Sequence, residues 1–248
     1  AAAGVRRVVA AMVDPNPLVA GRGIERLRDN GIEVITDVLK DDAEQLNPGF
    51  IKRMRQGLPY VRLKMAMSLD GRTALANGQS QWITGEQARQ DVQYLRAGSS
   101  AVLSSAATVI ADFASLNVRL SSDQLQQQVP VRQPVRVIID EQLRLTGREN
   151  LFQLEGQIWI MTTRQDAETM ARFDPPTTRV FVMPADASGR VDLTAMLQKL
   201  AELEINELHT ECGATLGGAL IQQRLVDELV IYVAPSLLGD QARGLFDL

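Results

Sequence analysis

The sequence contains a single cysteine, no long apolar run and no strong excess of either charge. Cys212 alone excludes an intrachain disulfide framework, which suits a reducing compartment, so we expect a cytoplasmic protein. No run of about 18 apolar residues is present, and the first residues lack the basic and apolar regions of a signal peptide, so neither a membrane span nor secretion is predicted. A net charge of −4 gives no general reason to expect nucleic-acid binding, and any anion site must be local.

Metal ligands are equally scarce, because His209 is the only histidine. The fragment His209-Thr210-Glu211 matches the H-x-E of zinc deaminases, but the P-C-x-x-C part of that signature is absent. A catalytic zinc takes about three protein ligands, so we predict that this chain holds no metal. Cys212 is then most simply a small buried residue.

The composition is otherwise that of a globular protein, with 45% hydrophobic and 23% charged residues. A chain of 248 residues can bury a sizeable core as one large domain or as a domain with an appendage. It opens on Ala1, directly before a strand-like run, which we interpret as a start inside a longer polypeptide. The stretch 56–59 (Gln-Gly-Leu-Pro) predicts a boundary between a small region 1–58 and a main domain 59–248.

Strand and helix patterns alternate along the chain. From Tyr60 to Ser68, apolar and polar side chains alternate with the period of two expected of a strand. The stretch 84–98 predicts a helix, with Thr84 and Gln87 in a capping box and Gly98 at the C-cap. The other predicted strands are 5–12, 32–35, 101–103, 135–140, 157–162, 179–182, 205–210 and 228–234, and the other predicted helices are 22–30, 42–55 with a break at Pro48, 192–203 and 214–223. This rhythm predicts an α/β fold with a largely parallel sheet.

A glycine cluster, Glu211-Cys-Gly-Ala-Thr-Leu-Gly-Gly-Ala219, follows one predicted strand and opens a predicted helix. Backbone N–H groups at a helix N-terminus favour a phosphate, and glycine lets such a ligand approach closely. The alternative is that the small residues only let this helix pack tightly on the sheet. The cluster does not match G-x-G-x-x-G, so it does not indicate an ordinary dinucleotide-binding fold.

Two further groups of side chains have both a functional and a structural interpretation. Asp70-Gly71 predicts a turn, and Trp82 either fills the core or offers a surface on which a planar ring can stack. Arg96 and Arg119 would suit a phosphate if they converge, because guanidinium groups bond phosphate oxygens in pairs. If they do not converge, each is an ordinary solvated arginine.

Taken together, these motifs resemble one family, the bifunctional deaminase/reductases of riboflavin biosynthesis. The similarity is carried by an ordered series: Lys64-Met-Ala-Met-Ser-Leu-Asp-Gly-Arg-Thr-Ala74, Ser80-Gln-Trp-Ile-Thr84, Ala88-Arg-Gln-Asp-Val92, Leu95-Arg96, Thr108-Val-Ile-Ala-Asp112, Leu116-Asn-Val-Arg119, Glu211-Cys-Gly-Ala-Thr215, Val226-Asp-Glu-Leu229 and Ala234-Pro-Ser-Leu-Leu-Gly239. Asp14-Pro-Asn-Pro17 with Gly21-Arg-Gly23 resembles the end of the family's deaminase half. The series runs through nearly the whole chain and is more specific than any one of its motifs.

The resemblance implies a dihydrofolate-reductase-like fold for 59–248, a mostly parallel sheet flanked by helices, preceded by a small α/β remnant of a deaminase domain. The implied reaction is the reduction of the ribosyl group of 5-amino-6-(5-phosphoribosylamino)uracil to ribityl, with hydride from NADPH. Zinc and the hydrolytic deaminase activity are implied only for a full-length protein, because the zinc-binding part is missing here. A homodimer or higher homo-oligomer is the implied assembly, and the chain stops at Leu248, short of the family's last strands.

The resemblance also implies which residues form the site. Implied cofactor contacts are Ala66, Trp82, Thr108, Asp112, Gly213, Ala214, Thr215, Leu216, Gly217, Gly218 and Ala219. Implied substrate contacts are Lys64, Ser80, Arg96, Leu116, Arg119 and Glu211. Lys64, Asp112 and Glu211 form the implied catalytic group, which we expect to hold the opened ribose and to assist proton transfer to its ring oxygen or imine.

The sequence departs from the family's pattern at two places near this site. Where the family has Asp-Asp-Pro or Asp-Asn-Pro, this chain has Asp112-Phe113-Ala114, which should loosen or reshape the loop beside the cofactor. Glu141 stands where the family often has a serine contact, and a carboxylate is a poor neighbour for a phosphate. Two alternatives therefore stay open: a related dihydrofolate-reductase-like enzyme for another pteridine or pyrimidine, and a non-catalytic nucleotide-binding domain.

Overall fold

A seven-stranded, fully parallel sheet forms the centre of the computed structural model, which describes residues 3–77, 84–173 and 176–248. The strands are β1 Arg7–Val9, β2 Glu33–Ile35, β3 Tyr60–Ser68, β4 Arg72–Ala74, β5 Ala101–Ser105, β6 Val135–Ile139, β7 Ile158–Thr162, β8 Thr178–Val182, β9 Glu207–Glu211, β10 Glu228–Ala234 and β11 Arg243–Gly244. The helices are α1 Arg22–Asp29, α2 Lys40–Leu46, α3 Pro48–Gln56, α4 Glu86–Gly98, α5 Ala106–Asp112, α6 Ala167–Met170, α7 Leu193–Glu202 and α8 Ala214–Gln222, with a 3₁₀ turn at Asn150–Gln153. The spatial order of the central strands is β10-β3-β9-β5-β6-β7-β8. The predicted α/β fold, a mostly parallel sheet flanked by helices, is confirmed.

Side-chain alternation determines how β3 sits in the sheet. Val61, Leu63 and Met65 are buried, whereas Arg62 and Lys64 point to the opposite face and are half-buried. One face of the sheet packs against α7 and α8, and the other is covered by α5 and the segment 143–173. Because both faces are covered, β7 is buried along its whole length. None of the helices within the described ranges is long and apolar enough to cross a membrane.

The chain connections open a crevice at the carboxyl ends of β9 and β5. The chain leaves β9 through α8, which packs on one face of the sheet, and it leaves β5 through α5, which packs on the other. The two strands pair directly, with Leu103 beside Thr210. Neighbouring parallel strands whose chains depart to opposite faces leave room for a ligand beyond their carboxyl ends.

The predicted ends of α4 are wrong. Its N-cap is Gly85, which is extended and has no side-chain hydrogen bond, so Thr84 and Gln87 do not form a capping box. Gly98 is the last helical residue, and the C-cap is Ser99. Ser99 is extended rather than left-handed, and for this reason the helix ends without a glycine C-cap.

The family motif 108–112 lies in α5, a helix that the sequence pattern did not predict. The strand β5 stops at Ser105, whose hydroxyl oxygen accepts from Thr108 N at 3.3 Å and so caps the new helix. This helix ends at Phe113, a left-handed residue with φ 50°. The helix has 7 residues, too few for a clear helical period in the sequence.

The predicted turn at Asp70-Gly71 is confirmed, with Gly71 at φ 72°. The Asp70 carboxylate accepts from the Ser68 hydroxyl and from the backbone N–H groups of Gly239 at 2.8 Å and Leu238 at 3.1 Å. The hydrogen bonds from Ser68 and Gly239 lower the pKa of Asp70 to about 2. The turn therefore fixes the loop after β10 to the end of β3.

The segment 3–58 comprises the two-stranded parallel sheet β1–β2 and helices α1 to α3. From α3, Lys52 Nζ donates to Asp227 Oδ2 at 2.6 Å, and the same oxygen accepts from Val61 N at 2.7 Å. Gly49 packs so closely that a Cβ there would lie 2.6 Å from the carbonyl oxygen of Asn206. The segment 3–58 is thus in contact with the sheet region through α3, and the domain boundary after residue 58 stays a prediction.

Arg136, in β6, is 1% exposed and holds the segment that follows the 3₁₀ turn. Its Nη1 donates to the Leu151 carbonyl at 2.6 Å. Its Nη2 donates to the carbonyls of Leu154 at 3.1 Å, Glu155 at 2.9 Å and Gly156 at 3.0 Å. Burial lowers the pKa of the Arg136 guanidinium below its usual value.

Replacing Arg136 by methionine is expected to lower the free energy of unfolding by about 2–3 kcal/mol, because several buried carbonyls lose their donors. The measurement is urea unfolding followed by circular dichroism. The control is Arg144→Met, an exposed arginine whose loss should change the free energy by no more than about 0.5 kcal/mol. Equal unfolding midpoints for the two variants would contradict the role assigned to Arg136.

Candidate active site

Glu211, the last residue of β9, is held by Arg96 from α4. Arg96 Nε donates to Oε1 at 2.5 Å and Nη2 donates to Oε2 at 2.9 Å, while Nη1 donates to the Asn117 carbonyl at 2.9 Å. Burial raises the pKa of Glu211, but Arg96 and His209 outweigh it and hold that pKa below its usual value. Glu211 is therefore an ionised and oriented carboxylate rather than a proton donor.

Lys64 is the register partner of Glu211 on the neighbouring strand β3. Its side chain is half-buried and shares a face of the sheet with Glu211. Within the described part of the chain, its ammonium has no hydrogen bond or ion pair; it lies 5.7 Å from the centroid of the Tyr232 ring, and its charge also acts on Cys212. An ammonium with spare donors on the strand next to that of an ionised carboxylate can bind a hydroxyl group and transfer a proton.

Arg119 lies close enough to Arg96 and Glu211 for their charges to act on it. Partial burial and the charge of Arg96 lower the pKa of Arg119. The two predicted phosphate-binding arginines thus converge, but Arg96 donates to Glu211 and Asn117. Among the residues described, nothing pairs with the Arg119 guanidinium, which leaves it available to an anion. Leu116 is buried, with φ 57°, so only its backbone is left for the predicted substrate contact.

The first turn of α8 is open to an anion. Its N-cap, Gly213, is exposed and offers no side-chain hydrogen bond. The cap therefore provides no acceptor for the N–H groups of Ala214, Thr215 and Leu216. The carboxylate of Asp247 accepts from the Thr215 hydroxyl at 2.7 Å, so one acidic side chain lies beside this helix terminus.

The second half of the glycine cluster contacts protein. A Cβ on Gly217 would lie 3.4 Å from the Phe246 ring, and a Cβ on Gly218 would overlap the Asp247 backbone. Ala219 packs against the main core. The glycine pair therefore allows close packing, mainly against the segment after β11 rather than against the sheet as expected, and the phosphate interpretation of the helix start stays a prediction.

Three other predicted cofactor residues, Ala66, Thr108 and Asp112, lie at the same edge of the sheet. Ala66 is half-buried and pairs with Tyr232 of β10. Thr108 is in the first turn of α5. Asp112, which ends α5, has its pKa raised by partial burial of its carboxyl group, against the opposing charge of Arg243. The charged neighbour of Asp112 is thus Arg243, not the lysine of the predicted catalytic group.

The two departures from the family's pattern lie on this edge as well. Phe113 is 74% exposed and has a positive φ, which is strained for a bulky residue. The loop after β6 is fixed by Asp140, which is buried and accepts from Arg144 N and Leu145 N at 2.9 Å each. The backbone carbonyl of Glu141 accepts a hydrogen bond from the Thr162 hydroxyl at 3.2 Å.

Ser80 and Trp82 lie outside the described residues, so their predicted contacts stay predictions. Burial and the charge of Glu211 raise the pKa of Cys212 to about 12, which keeps its thiol protonated at neutral pH. His209 is fully buried, with Nε2 3.4 Å from Glu211 Oε1, too poorly aligned for a hydrogen bond. Among the residues that the structure describes, no group of three or more His, Cys, Asp and Glu side chains could hold a metal ion.

Two residues at the site were missed in the sequence. The hydroxyl of Tyr232 donates to Asp91 Oδ2 at 2.5 Å, which joins β10 to α4 beside Lys64. Tyr232 lies in a correctly predicted strand, and Asp91 lies in one of the family motifs. No local pattern shows that they meet, because 141 positions separate them.

These features define an α/β protein with a small-molecule site at the carboxyl edge of its sheet. The family described as the RibD C-terminal domain matches residues 59–248, and the chain belongs to this family. It is 50% identical over 252 residues to a riboflavin biosynthesis protein RibD of Escherichia coli, covering 100% of this chain and 67% of that protein.

Solved structures are similar over the same extent. Acinetobacter baumannii RibD is 42% identical with a TM-score of 0.86, covering 100% of this chain and 66% of that one. A diaminohydroxyphosphoribosylaminopyrimidine deaminase/5-amino-6-(5-phosphoribosylamino)uracil reductase of Thermotoga maritima is 30% identical with a TM-score of 0.81, covering 99% and 64%. The chain thus spans about two thirds of the length of these relatives.

Proposed function

We propose that this chain reduces the ribosyl group of 5-amino-6-(5-phosphoribosylamino)uracil to ribityl, with NADPH as reductant, in riboflavin biosynthesis. The observation that carries the proposal is that the half-buried Lys64, whose ammonium has no ion pair in the described residues, is the register partner of the ionised Glu211 on the neighbouring strand. Family membership supports the reaction class, because the Thermotoga maritima relative is described as a 5-amino-6-(5-phosphoribosylamino)uracil reductase.

The residues present fit a dinucleotide phosphate. The uncapped first turn of α8 offers backbone donors at the positive end of a helix dipole, from Ala214 to Leu216. This turn lies directly after Glu211, so an anion bound there would be close to the proposed reaction centre. Asp247 limits the approach from one side. NADPH, when bound, would supply the hydride.

Each remaining part of the site has a distinct proposed task. The reaction would add a hydride to C1 of the ribosyl group. In the closed form, the bond between C1 and the ring oxygen would break and that oxygen would take a proton; in the opened form, the C1=N double bond would be reduced and its nitrogen would take the proton. Lys64 is the proposed donor of that proton. Glu211, ionised and oriented by Arg96, would accept hydrogen bonds from the sugar hydroxyls, and Arg119 would pair with the substrate phosphate. Asp112 stays in the proposal only as a cofactor contact, since its charged neighbour is Arg243.

The proposal includes a cytoplasmic protein that assembles as a homodimer or higher homo-oligomer, as the family resemblance implies. Its ligands would be small molecules, with no nucleic acid and no membrane among its partners.

The test is a reductase assay on the protein. NADPH and the phosphoribosylamino-uracil are mixed with it, the absorbance of the reduced cofactor is followed, and the product is identified by mass spectrometry. We expect NADPH oxidation that depends on the pyrimidine and yields the ribityl compound. NADPH binding by fluorescence without any such oxidation would overturn the proposal and favour a non-catalytic nucleotide-binding domain. A parallel assay with NADH tests the choice of cofactor.

A further inference from the structure

The position of the Lys64 ammonium depends on an aromatic ring. Tyr232 and Lys64 share one face of the β3–β10 pair, because Lys64 is opposite Val230 and Ala66 is opposite Tyr232. The Tyr232 ring lies 5.7 Å from Lys64 Nζ. A cation within about 6 Å of a ring centroid is attracted by the face of the ring. In the described residues no other side chain bonds this ammonium, so the ring is what determines where it points.

The ring itself is anchored from the other side of the site. The Tyr232 hydroxyl donates to Asp91 Oδ2 at 2.5 Å. Asp91 belongs to α4, the same helix that presents Arg96 to Glu211. Burial and the charge of Asp91 raise the pKa of Tyr232 well above its usual value, so the hydroxyl remains a donor at any pH at which the protein would be assayed.

We infer that Tyr232 is a positioning residue for Lys64, held in place by Asp91, in the reaction proposed above. Through this chain of contacts, α4 sets the geometry of both members of the pair: Glu211 through Arg96, and Lys64 through the Tyr232 ring. Because β10 is the end strand of the seven-stranded sheet, the ring also separates the ammonium from the open side of the sheet.

If the Tyr232–Asp91 hydrogen bond had only a structural role, mutations at Tyr232 would affect the protein differently. A tether between α4 and β10 would affect the free energy of unfolding, but it would act independently of Lys64. A positioning role acts only through the lysine. A double-mutant cycle between Tyr232 and Lys64 separates the two, since residues that work through each other are not additive.

The experiment compares kcat and KM for pyrimidine-dependent NADPH oxidation in four variants. Tyr232→Leu removes the ring and is expected to lower kcat about tenfold with little change in the KM for NADPH, which corresponds to the upper range for such contacts. Tyr232→Phe keeps the ring and is expected to recover most of that loss. Asp91→Asn should match Tyr232→Phe, and combining the two should add nothing further. Tyr94→Leu, an exposed tyrosine on the same helix, is the control and should leave kcat unchanged.

The decisive comparison uses the Lys64→Ala background, where Tyr232→Leu is expected to have no further effect on kcat. The same tenfold loss in that background, or no loss in the wild-type background, would overturn the positioning role. If Lys64→Ala itself turns over at the wild-type rate, the proposed function of Lys64 fails instead, so the two failures are distinguishable. Should Tyr232→Leu not fold, Tyr232→Met carries the same cycle, because methionine also removes the ring and its flexible side chain fills irregular space.

Discussion

Replacing Lys64 by alanine is expected to lower kcat for pyrimidine-dependent NADPH oxidation by about 10²- to 10⁴-fold, the usual contribution of a positioned proton donor. The physical reason is that no other cationic donor lies in register with Glu211 at this edge of the described sheet. NADPH binding should persist, because the proposed phosphate contacts are backbone groups of α8. The free energy of unfolding should fall by no more than about 1–2 kcal/mol, since the Lys64 ammonium makes no ion pair within the described residues and loses only its contact with the Tyr232 ring.

Steady-state assays, cofactor fluorescence and urea unfolding on the same preparation check these three expectations. Lys199→Ala is the matched control, because Lys199 is a surface residue paired only with Glu202 on its own helix. It should behave as the wild type in all three measurements. A Lys64→Ala protein that binds NADPH and reduces the pyrimidine at a near wild-type rate would show that the proton comes from elsewhere.

Replacing Arg96 by methionine is expected to lower the free energy of unfolding by about 3–5 kcal/mol and to abolish turnover. Removing one partner of a buried ion pair leaves the other as an uncompensated charge. The stability lost in this way is larger than the net amount that the intact pair contributes to the free energy of folding. Both side chains of the Arg96–Glu211 pair are largely buried, at 10% and 13% exposure. Without its two charge-assisted bonds, Glu211 also loses the orientation that the proposed substrate contact requires.

The pH dependence of the Arg96→Met variant gives a second, independent measurement. In the wild type the pKa of Glu211 lies below its ordinary value of 4.5. Its stabilising contribution is therefore complete above about pH 4.5 and is lost only as the pH falls further. In the variant, burial, the largest influence on Glu211, is opposed only by His209 and Arg119. We therefore expect the pKa of Glu211 to rise above the unfolded value, so the folded state takes up a proton first. The difference in the free energy of unfolding between the wild type and Arg96→Met should then become smaller as the pH falls from neutral.

The double variant Arg96→Met with Glu211→Gln is the control for this interpretation. It lacks both charges of this buried pair, so it should be more stable than Arg96→Met alone. Its free energy of unfolding should also not approach that of the wild type at lower pH through this carboxyl. Urea unfolding at each pH gives the free energy of unfolding of the single and of the double variant. A difference between the wild type and Arg96→Met that widens at lower pH would contradict the assignment of an ionised Glu211.

The sequence anticipated local structure well where period and burial agree. The alternation from Tyr60 to Ser68 locates β3 to the residue, and the glycine cluster correctly marks the start of α8. The sequence could not show which of these glycines face a ligand. Gly217 and Gly218 are needed because Phe246 and Asp247 pack closely against them, and this is a tertiary contact. The helix α5 was missed because Ser105 starts it directly at the end of a strand.

For the site, the sequence predicted which residues take part but not which of them contact one another. Arg96 and Arg119 were both expected at a phosphate, whereas Arg96 is bound to Glu211, 115 positions away in the sequence. Tyr232 has no local signal at all, since an aromatic residue in a strand is usually part of the core. Such pairings depend on strand order, with β9 and β10 flanking β3, and periodicity along the chain contains no information on that order.

The most direct test of the account is a crystal structure of the protein with NADPH bound. The account predicts a cofactor whose diphosphate lies on the first turn of α8, between Gly213 and Leu216, and whose nicotinamide lies against Ala66 with Lys64 and Glu211 facing the substrate side. A cofactor bound away from the carboxyl ends of β3 and β9, or a nicotinamide out of reach of both side chains, would contradict it.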